Sequence, residues 1–413
     1  MSVPRAHVAG IGMTPTGKFL DRSIKQLTAD AVTAALADAG LEASDIQAAF
    51  FSNATQGVLE GQTMVRGQIA LRPLGIQGVP VYNLENACAS ASSAFNLAVQ
   101  AVRSGEVDVA LAVGAEKMFC TDKARMFSVF DGAWDVQDIE RNKAALLSLG
   151  RGVEPPEGST SKAPYSLFMD IYAAFGRFHM REFGTTQRQF AAVSAKNHGH
   201  SAHNPLAQYR NTYTVDEVLA APPITYPLTL PMCAPVSDGA AAVIVCSGSA
   251  LARLEDRRRA IHVLASVVAT GSPRQPQDVD RHITVNAAKS AYERAGVGPK
   301  DISVAEVHDA TAIGEIVQSE NLGFCEFGAG GPLAESGATT IGGRIPINTS
   351  GGLESKGHPI GATGIGQLHE LVTQLRGEAG ARQVQGARLA IAENGGGLYG
   401  IEEAVCAITI LGR

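Results

Sequence analysis

The sequence predicts an α/β protein whose two halves share one design. Residues 31–49 match residues 287–305 at a constant offset of 256, the difference between positions 31 and 287. In both segments an Ala-rich helix ends at a glycine suited to a left-handed cap, and an Asp-Ile turn leads into a short apolar strand. The identical pairs include Ala31/Ala287, Ala35/Ala291, Ala39/Ala295, Gly40/Gly296, Asp45/Asp301, Ile46/Ile302 and Ala49/Ala305.

The order of the following elements repeats as well. In the first half the turn at Cys88 opens a predicted helix over 88–103, and a strand follows over 107–114. In the second half a Gly-His-Pro turn opens a helix over 361–376, and a strand follows over 388–392. Both strands are apolar on both faces, as buried central strands are. Two such halves imply a pseudo-twofold pair of sheets with helices between and outside them.

The segment between the halves differs in composition and divides the chain into three predicted domains. It holds the single Trp, a charged Gly/Pro-containing stretch and amphipathic segments. We therefore expect a largely helical loop domain over 119–235 that covers a site. The N-terminal half then spans 1–118 and is completed by 236–250, and the C-terminal half spans 251–413.

Composition excludes several classes of function. The 413 residues carry 34 Lys and Arg against 40 Asp and Glu, a net charge of −6, so no overall positive field favours nucleic acid or an anionic membrane. The six cysteines form no CxxC pair, which argues against a disulfide framework and a zinc site. No signal-peptide pattern and no apolar run of membrane-spanning length is present. These features predict a cytoplasmic protein with reduced cysteines.

The histidine-rich segment HGHSAH is a second possible metal site. Its members His198, His200 and His203 match no zinc-ligand spacing and have no acidic or Cys partner nearby in sequence. We therefore predict no metal and interpret the segment as a solvated helix end.

Cys88 and His358 are the candidate catalytic pair. Cys88 follows a short apolar strand and precedes small residues at a predicted helix N-terminus, where unpaired N–H groups favour a thiolate. The alternative is a buried cysteine acting as a small hydrophobe. His358 lies in the equivalent Gly-rich turn of the second half, so a twofold axis would bring the two together as an activated thiol. That turn lacks the order of a phosphate-binding P-loop.

Six ordered motifs resemble the thiolase superfamily over essentially the whole chain. They are ENACASASSA, VGAEKM, SDGAAAVIVCS, VHDAT, NTSGGLESKGHPIGATG and ENGGG. The resemblance is closest to the sterol-carrier-protein-type and archaeal branch because of the His-Asp-Ala segment. It implies two pseudo-twofold-related five-stranded mixed-sheet halves in αβαβα layers, plus an inserted loop domain.

The resemblance also implies roles for individual residues. Cys88 would be the nucleophile that becomes acylated, and His358 would activate it and help to bind the thioester oxygen. His308 would hold an oxyanion-binding water, the alternative being a satisfied histidine at a strand end. The N–H groups of Cys88 and Gly395 would form a second oxyanion hole for the tetrahedral intermediate.

The sequence departs from the family pattern at the second catalytic cysteine. Degradative thiolases carry it in a Cys-x-Gly-Gly-Gly turn, where this chain has Glu393, and sterol-carrier-type members can carry it where this chain has Ala310. A carboxyl whose pKa is raised by a dry pocket can act as general acid/base, so we expect Glu393 to take that role. The alternative is that Glu393 only caps a turn and the protein performs no carbon–carbon chemistry.

The leading function is thiolytic cleavage, or the reverse Claisen formation, of a 3-oxoacyl-CoA, possibly α-branched or aromatic. One alternative is a thiolase-like lyase or acyltransferase without Claisen chemistry, against which Cys88 counts. Another is a non-catalytic subunit, against which the retained Cys88, His308 and His358 count.

We expect no permanently bound cofactor, coenzyme A as a substrate, and a homodimer or dimer of dimers. The resemblance further suggests a small zinc-ribbon/OB-fold partner protein. The sequence does not identify the residues that bind the CoA phosphates.

Overall fold

The computed structural model describes residues 5–413, so the first four residues of the predicted N-terminal half lie outside the described residues. The strands are β1 (Ala6–Met13), β2 (Ala48–Ser52), β3 (Val81–Leu84), β4 (Val109–Glu116), β5 (Pro223–Thr225), β6 (Leu228–Thr229), β7 (Gly239–Ser247), β8 (Ile261–Thr270), β9 (Val304–Glu306), β10 (Leu389–Tyr399) and β11 (Glu402–Gly412).

The helices are α1 (Ile24–Ala39), α2 (Gln56–Leu59), α3 (Arg66–Leu71), α4 (Ser90–Ser104), α5 (Lys123–Ser128), α6 (Ile139–Ser148), α7 (Leu167–Phe183), α8 (Gln187–Ser201), α9 (Val215–Ala220), α10 (Gly248–Leu251), α11 (Ile283–Ala295), α12 (Ala312–Asn321), α13 (Gly330–Glu335), α14 (Gly352–Lys356) and α15 (Thr363–Arg376). Within residues 5–413, none of these helices combines the length and the apolar character needed to cross a bilayer.

The sheet topology shows the duplication directly. Strand order is β3-β2-β4-β7-β1 in the first half and β8-β11-β10-β9 in the second. In each half parallel pairings at one end give way to antiparallel pairings at the other. The place equivalent to β3 is taken in the second half by Ile347, which makes a single parallel bridge to Ala305. The halves join through the antiparallel pairing of Ala6–Val8 in β1 with β8.

Side-chain alternation along the central strands produces five layers. In β4, Ala110 and Ala112 face a core shared by both halves, which contains the central helices α4 and α15. Leu111 faces the opposite way, onto the outer helix α1. Ile391 in β10 likewise faces the outer helix α11. The molecule is therefore an αβαβα sandwich, as the sequence predicts.

The sandwich brings the second half's Gly-rich turn against β4. Gly114 permits this approach, because a Cβ placed on it would lie 2.0 Å from the carbonyl oxygen of Gly361. That distance is far below any real contact, so only glycine fits at position 114. The turn that carries His358 is thereby held beside the first half.

The segment over 119–235 contains α5 to α9 and the small two-stranded β5–β6 sheet. Its helix α8 packs through Phe190 and Val193 against Ile313 and Ile316 of α12. The chain then returns to the first half, where β7 pairs with both β4 and β1. On this basis we propose the division into an N-terminal half, an inserted loop domain and a C-terminal half.

The prediction for the histidine-rich segment is wrong for two of its three members. His198 and His200 lie inside α8 and are buried, whereas His203 is exposed beyond the helix end. His200 Nδ1 is 3.0 Å from the carbonyl oxygen of Asn348, and His198 Nε2 is 3.2 Å from that of Pro231. The segment is buried because α8 is covered by the second half of the molecule, a contact that sequence spacing does not show.

Candidate active site

Cys88 lies in a tight turn between β3 and α4. The turn is closed by hydrogen bonds from Ala89 N to Asn86 O at 3.0 Å and from Ser90 N to Ala87 O at 3.1 Å. Ala87 has a φ of 48°, a left-handed conformation that is uncommon for a residue with a side chain. Ser90 secures this conformation, since its hydroxyl donates to Ala87 O and accepts from Asn86 N. Helix α4 begins two residues later than predicted, so Cys88 precedes its first turn.

His358 is held in the equivalent turn of the second half, before α15. Its backbone N–H donates to Ser237 Oγ at 3.0 Å. Further along the turn, Gly361 N donates to the buried carboxylate of Glu116 at 2.8 Å. Nε2 of His358 is 3.3 Å from Sγ of Cys88. The structure thus brings together the two residues that the sequence predicts as a pair, 270 positions apart.

Thr363 fixes the proton on the His358 ring. The Thr363 hydroxyl donates to the carbonyl oxygen of Pro359 at 3.1 Å, so its oxygen can only accept from His358 Nδ1, which is 2.7 Å away. Nδ1 therefore carries the proton and Nε2 presents a lone pair to the Cys88 thiol. This arrangement makes His358 a base directed at Cys88.

Replacing Thr363 with valine is expected to slow acylation of Cys88 about tenfold, the effect of one lost hydrogen bond of about 1.4 kcal/mol. Thr363→Ser keeps the hydroxyl and should stay close to the wild-type rate. Stopped-flow measurement of acylation by an acyl-CoA distinguishes the two variants. Equal rates for valine and serine would show that the hydroxyl does not control the ring.

Burial favours the neutral form of both members of the pair. Burial, with a contribution from the charge of Glu85, raises the pKa of the Cys88 thiol to about 12. Burial also lowers the pKa of His358 well below its usual value, helped by His308 and Lys356. Desolvation thus opposes the stabilisation of a thiolate that the position of Cys88 before α4 predicts. Proton transfer to His358 must accompany nucleophilic attack.

Alkylation by iodoacetamide should report this protonation state. Because the raised pKa leaves little thiolate near neutrality, the rate constant for Cys88 should rise about tenfold per pH unit from pH 7 to 9 without a plateau. Peptide mass spectrometry separates Cys88 from the other cysteines. A rate that is constant across neutral pH would instead indicate a thiolate–imidazolium pair.

His308 completes a three-residue cluster. Its ring centroid is 5.2 Å from that of His358, and ligand atoms of Cys88, His308 and His358 all lie within 4.8 Å of one another. Nε2 of His308 is buried without a hydrogen-bond partner among the described residues. Burial lowers the pKa of His308 to about 4, so the ring is neutral. A neutral ring with one unsatisfied nitrogen suits a substrate oxygen or an ordered water better than a structural role.

Glu393 occupies a different place from the one expected. Its carboxyl is fully buried, accepts a hydrogen bond from the backbone N of His308 at 2.9 Å and does not line the cavity in front of Cys88. Burial raises its pKa well above the usual value, as predicted for a dry environment. It holds the His308 segment from behind instead of reaching into the substrate space. Gly395 lies two residues on, directly before the cavity-lining Gly396.

The cavity in front of Cys88 has a volume of about 770 Å³ and is walled largely by aromatic and apolar side chains of the covering segment. The wall contains Phe127, Phe130, Tyr165, Phe168, Met169, Tyr172, Tyr213, Ile224 and Leu230. Ala310 also lines it, at the position where a thiol is missing. Thr363 and Glu403, both at this site, were not predicted from the sequence. Thr363 could have been predicted, because a hydroxyl residue five positions after His358 can reach the imidazole ring. No sequence motif around Glu403 indicates a catalytic role.

The duplicated sandwich with a thiol–imidazole pair between its halves defines an α/β enzyme with a candidate cysteine nucleophile. Residues 6–215 match the family described as "Thiolase, N-terminal domain", and residues 265–412 match "Thiolase C-terminal domain-like". The chain belongs to the thiolase family and is an acyl-CoA C-acyltransferase.

The similarity to individual relatives covers nearly the whole chain. It is 38% identical over 396 residues to an acetyl-CoA acetyltransferase of Methanothermobacter thermautotrophicus, covering 95% of this chain and 96% of the relative. It is 32% identical over 390 residues to benzoylsuccinyl-CoA thiolase subunit BbsB of Thauera aromatica, covering 92% and 91%. The solved structure of an Ltp2-ChsH2(DUF35) aldolase superposes with a TM-score of 0.78 at 25% identity, covering 100% of this chain and 99% of that one.

Proposed function

We propose that the chain catalyses CoA-dependent thiolytic cleavage of a bulky 3-oxoacyl-CoA, or the reverse condensation, through an acyl group on Cys88. The observation that carries this proposal is the 3.3 Å approach of His358 Nε2 to the Cys88 thiol, with Thr363 fixing the ring proton on the other nitrogen. A thiol beside an imidazole nitrogen that can take its proton, in an apolar cavity, supports covalent acyl transfer.

The reaction proceeds in two acyl transfers. His358 takes the proton of Cys88 as the sulfur attacks the 3-oxo carbon, and the tetrahedral oxyanion is held by the N–H groups of Cys88 and Gly395. The carbon–carbon bond breaks and the acyl-CoA enolate leaves, with its thioester oxygen held by His358 and by a water on His308 Nε2. Glu393 keeps the His308 backbone in place. The thiol of free CoA then attacks the acyl-Cys88 thioester and releases the second acyl-CoA.

The aromatic wall of the cavity favours a large, apolar acyl group. Two of the rings that line it, Phe130 and Phe168, contact each other in a tilted arrangement with centroids 5.6 Å apart. Trp134, outside the lining, stacks on Phe168 with centroids 5.1 Å apart. Aromatic side chains in this arrangement favour contact with another ring. A relative named for benzoylsuccinyl-CoA supports an aromatic substrate. We propose an aryl or α-branched 3-oxoacyl-CoA over acetoacetyl-CoA.

A panel of thioesters tests the proposal. Linear, α-branched and aryl 3-oxoacyl-CoA substrates are incubated with free CoA, and the two acyl-CoA products are measured by chromatography. We expect the highest kcat/KM for an aryl or branched substrate. A clear preference for acetoacetyl-CoA would refute the assigned substrate class, and no cleavage of any member would refute the reaction.

A second candidate is carbon–carbon cleavage of a 3-hydroxyacyl-CoA without an acyl enzyme. It is favoured by the missing second thiol, since both Glu393 and Ala310 stand where relatives place that cysteine. One of the similar solved structures is that of an aldolase. Release of an aldehyde or ketone from a 3-hydroxyacyl-CoA, with Cys88 remaining unmodified, would establish this function.

We also propose a cytoplasmic protein that forms homodimers and has a small zinc-ribbon/OB-fold partner. Edge strand β3 has exposed Tyr82, which is available to a second copy. The similar aldolase is named for two components, Ltp2 and the DUF35 protein ChsH2, which supports a partner here. Purification from the native host tests the partner: full activity in a preparation containing this chain alone would exclude the need for one.

A further inference from the structure

The proposed reaction needs a group that moves a proton at the substrate α-carbon. The thiol that does so in relatives is missing at both of its positions, and the carboxyl of Glu393 is buried behind His308. Any replacement must lie on the cavity surface, near Cys88, and must exchange a proton near neutral pH.

Glu403 fulfils the positional requirement. It lies at the start of β11, lines the cavity that contains Cys88, and also borders the adjoining groove of about 1080 Å³. Its side chain retains 14% exposure. Its charge contributes to raising the pKa of Cys88, of Tyr172 and of Glu393.

Gly395 makes the room that this carboxyl occupies. A Cβ placed on Gly395 would lie 2.7 Å from Cγ and 3.3 Å from Oε1 of Glu403. Any side chain at position 395 would therefore push Glu403 away. Gly395 also follows Glu393 and Asn394 in the segment that replaces the family's Cys-x-Gly-Gly-Gly turn, so Glu403 reaches the region of the missing thiol from the neighbouring strand.

The surroundings leave the carboxyl free to exchange a proton. Its contacts to side-chain donors are long, 3.5 Å to Gln318 Nε2 and 3.4 Å to His282 Nε2. The nearby Arg274 is engaged by Glu402 at 2.6 Å. Burial raises the pKa of Glu403, and the pKa of His282 is lowered to about 3, so His282 does not supply a positive charge that would lock the carboxylate.

Glu85 and Glu354 are the other carboxyls that line this cavity, and both differ from Glu403 in their contacts. Glu85 is exposed and accepts a hydrogen bond of 2.6 Å from the backbone N of Ala87 in the Cys88 turn, so it holds that turn. Glu354 is buried. Its Oε1 accepts a hydrogen bond of 3.1 Å from Asn197 Nδ2, a fully buried amide that also donates to Asp309 and Glu315. Glu354 is therefore part of a buried polar network, whereas Glu403 meets other side chains only in the long contacts to Gln318 and His282.

We propose that Glu403 is the catalytic acid/base that replaces the missing second cysteine, an inference that rests on the proposed function. In the cleavage direction the neutral carboxyl of Glu403 donates its proton to the α-carbon of the departing acyl-CoA enolate. The resulting carboxylate then takes the proton of the incoming CoA thiol, whose sulfur attacks acyl-Cys88. Each turnover returns Glu403 to its protonated form, and no redox partner is needed. In the condensation direction the carboxylate removes the α-proton.

Exchange of α-protons isolates this step from acylation. Wild type, Glu403→Gln and Glu403→Asp are incubated with propionyl-CoA in D₂O, deuterium at the α-carbon is followed by NMR, and acylation of Cys88 is followed by intact mass. We expect Glu403→Gln to lose exchange by about 10²–10⁴-fold. It should still form acyl-Cys88, but more slowly than wild type, because expulsion of CoA reverses the thiolysis step in which Glu403 takes the thiol proton. Glu403→Asp, which keeps a shorter carboxyl, should recover part of the exchange.

The carboxyl of Glu393, which stands at the sequence position of the missing thiol, is tested in parallel. Glu393→Ala is expected to lower acylation and exchange together, because it removes the acceptor that holds the His308 backbone. Undiminished exchange in Glu403→Gln, or no exchange in wild type that does acylate Cys88, would overturn the assignment of Glu403 alone. Wild type that never acylates Cys88 with any acyl-CoA would overturn the proposed function and this inference with it.

Discussion

Cys88→Ser is expected to abolish both acyl-enzyme formation and 3-oxoacyl-CoA cleavage. The serine hydroxyl is a far weaker nucleophile beside a neutral imidazole, and His358 is the base that contacts this position. We expect no mass increase on incubation with acyl-CoA and a loss of kcat beyond the roughly 10²–10⁴-fold range of a lost acid/base group. Intact-mass spectrometry and a CoA-release assay measure the two effects.

A second cysteine provides the control for that experiment. Cys325 lies outside the cavity in front of Cys88, and Cys325→Ser should keep one acyl group per chain. An acyl group that persists in Cys88→Ser and disappears in another cysteine variant would show that the nucleophile has been assigned to the wrong residue.

Glu116→Ala is expected to produce the largest loss of stability. The fully buried carboxylate joins the two halves by accepting hydrogen bonds from both. The donors are Asn53 Nδ2, Ala54 N, Thr55 N, Thr55 Oγ1 and Gly361 N. Removing it leaves several buried donors unpaired, so we expect the free energy of unfolding to fall by about 3–4 kcal/mol. Denaturant unfolding measures this change.

The same substitution should affect activity through His358. Gly361 lies three residues beyond His358 in one turn, and its N–H loses its acceptor in Glu116→Ala. Exposed Glu106 is the matched control, with Glu106→Ala expected to change stability by less than about 0.5 kcal/mol. Equal unfolding free energies for the two variants would show that Glu116 does not hold the halves together.

The duplicated fold could be predicted from the sequence because the two halves share short sequence patterns at the ends of equivalent helices and in equivalent turns. The glycine that ends α1 and the one that ends α11 occupy equivalent positions, and the turns before α4 and α15 carry Cys88 and His358. Twofold symmetry then converts two local turns into one site, so the 3.3 Å contact of thiol and imidazole follows from topology.

Features that depend on packing between distant segments could not be predicted in the same way. The protonation of Cys88 depends on how completely the covering segment desolvates it, and desolvation raises the pKa of the thiol, whereas its sequence position before α4 favours a lower pKa. His198 and His200 are buried because of contacts with the second half. Glu393 matches the missing thiol in sequence position, yet its longer side chain turns back to the His308 backbone.

Glu403 is the clearest example of a residue whose role depends on packing and could not be predicted from the sequence. It lies ten residues beyond Glu393 in sequence, on the partner strand of a hairpin whose register pairs Leu398 with Glu403. No local motif distinguishes it from the neighbouring Glu402, which is tied to Arg274. Only the space above Gly395 reveals which of the two carboxyls faces the cavity.

The most direct test of the central claim is mass spectrometry of the Cys88 peptide after rapid mixing with an aryl 3-oxoacyl-CoA in the absence of free CoA. We predict an acyl adduct on Cys88 that corresponds to the distal acyl fragment, with release of one acyl-CoA, followed by complete loss of the adduct when CoA is added. Cleavage that proceeds at the full rate while Cys88 remains unmodified would contradict the proposed acyl-cysteine mechanism.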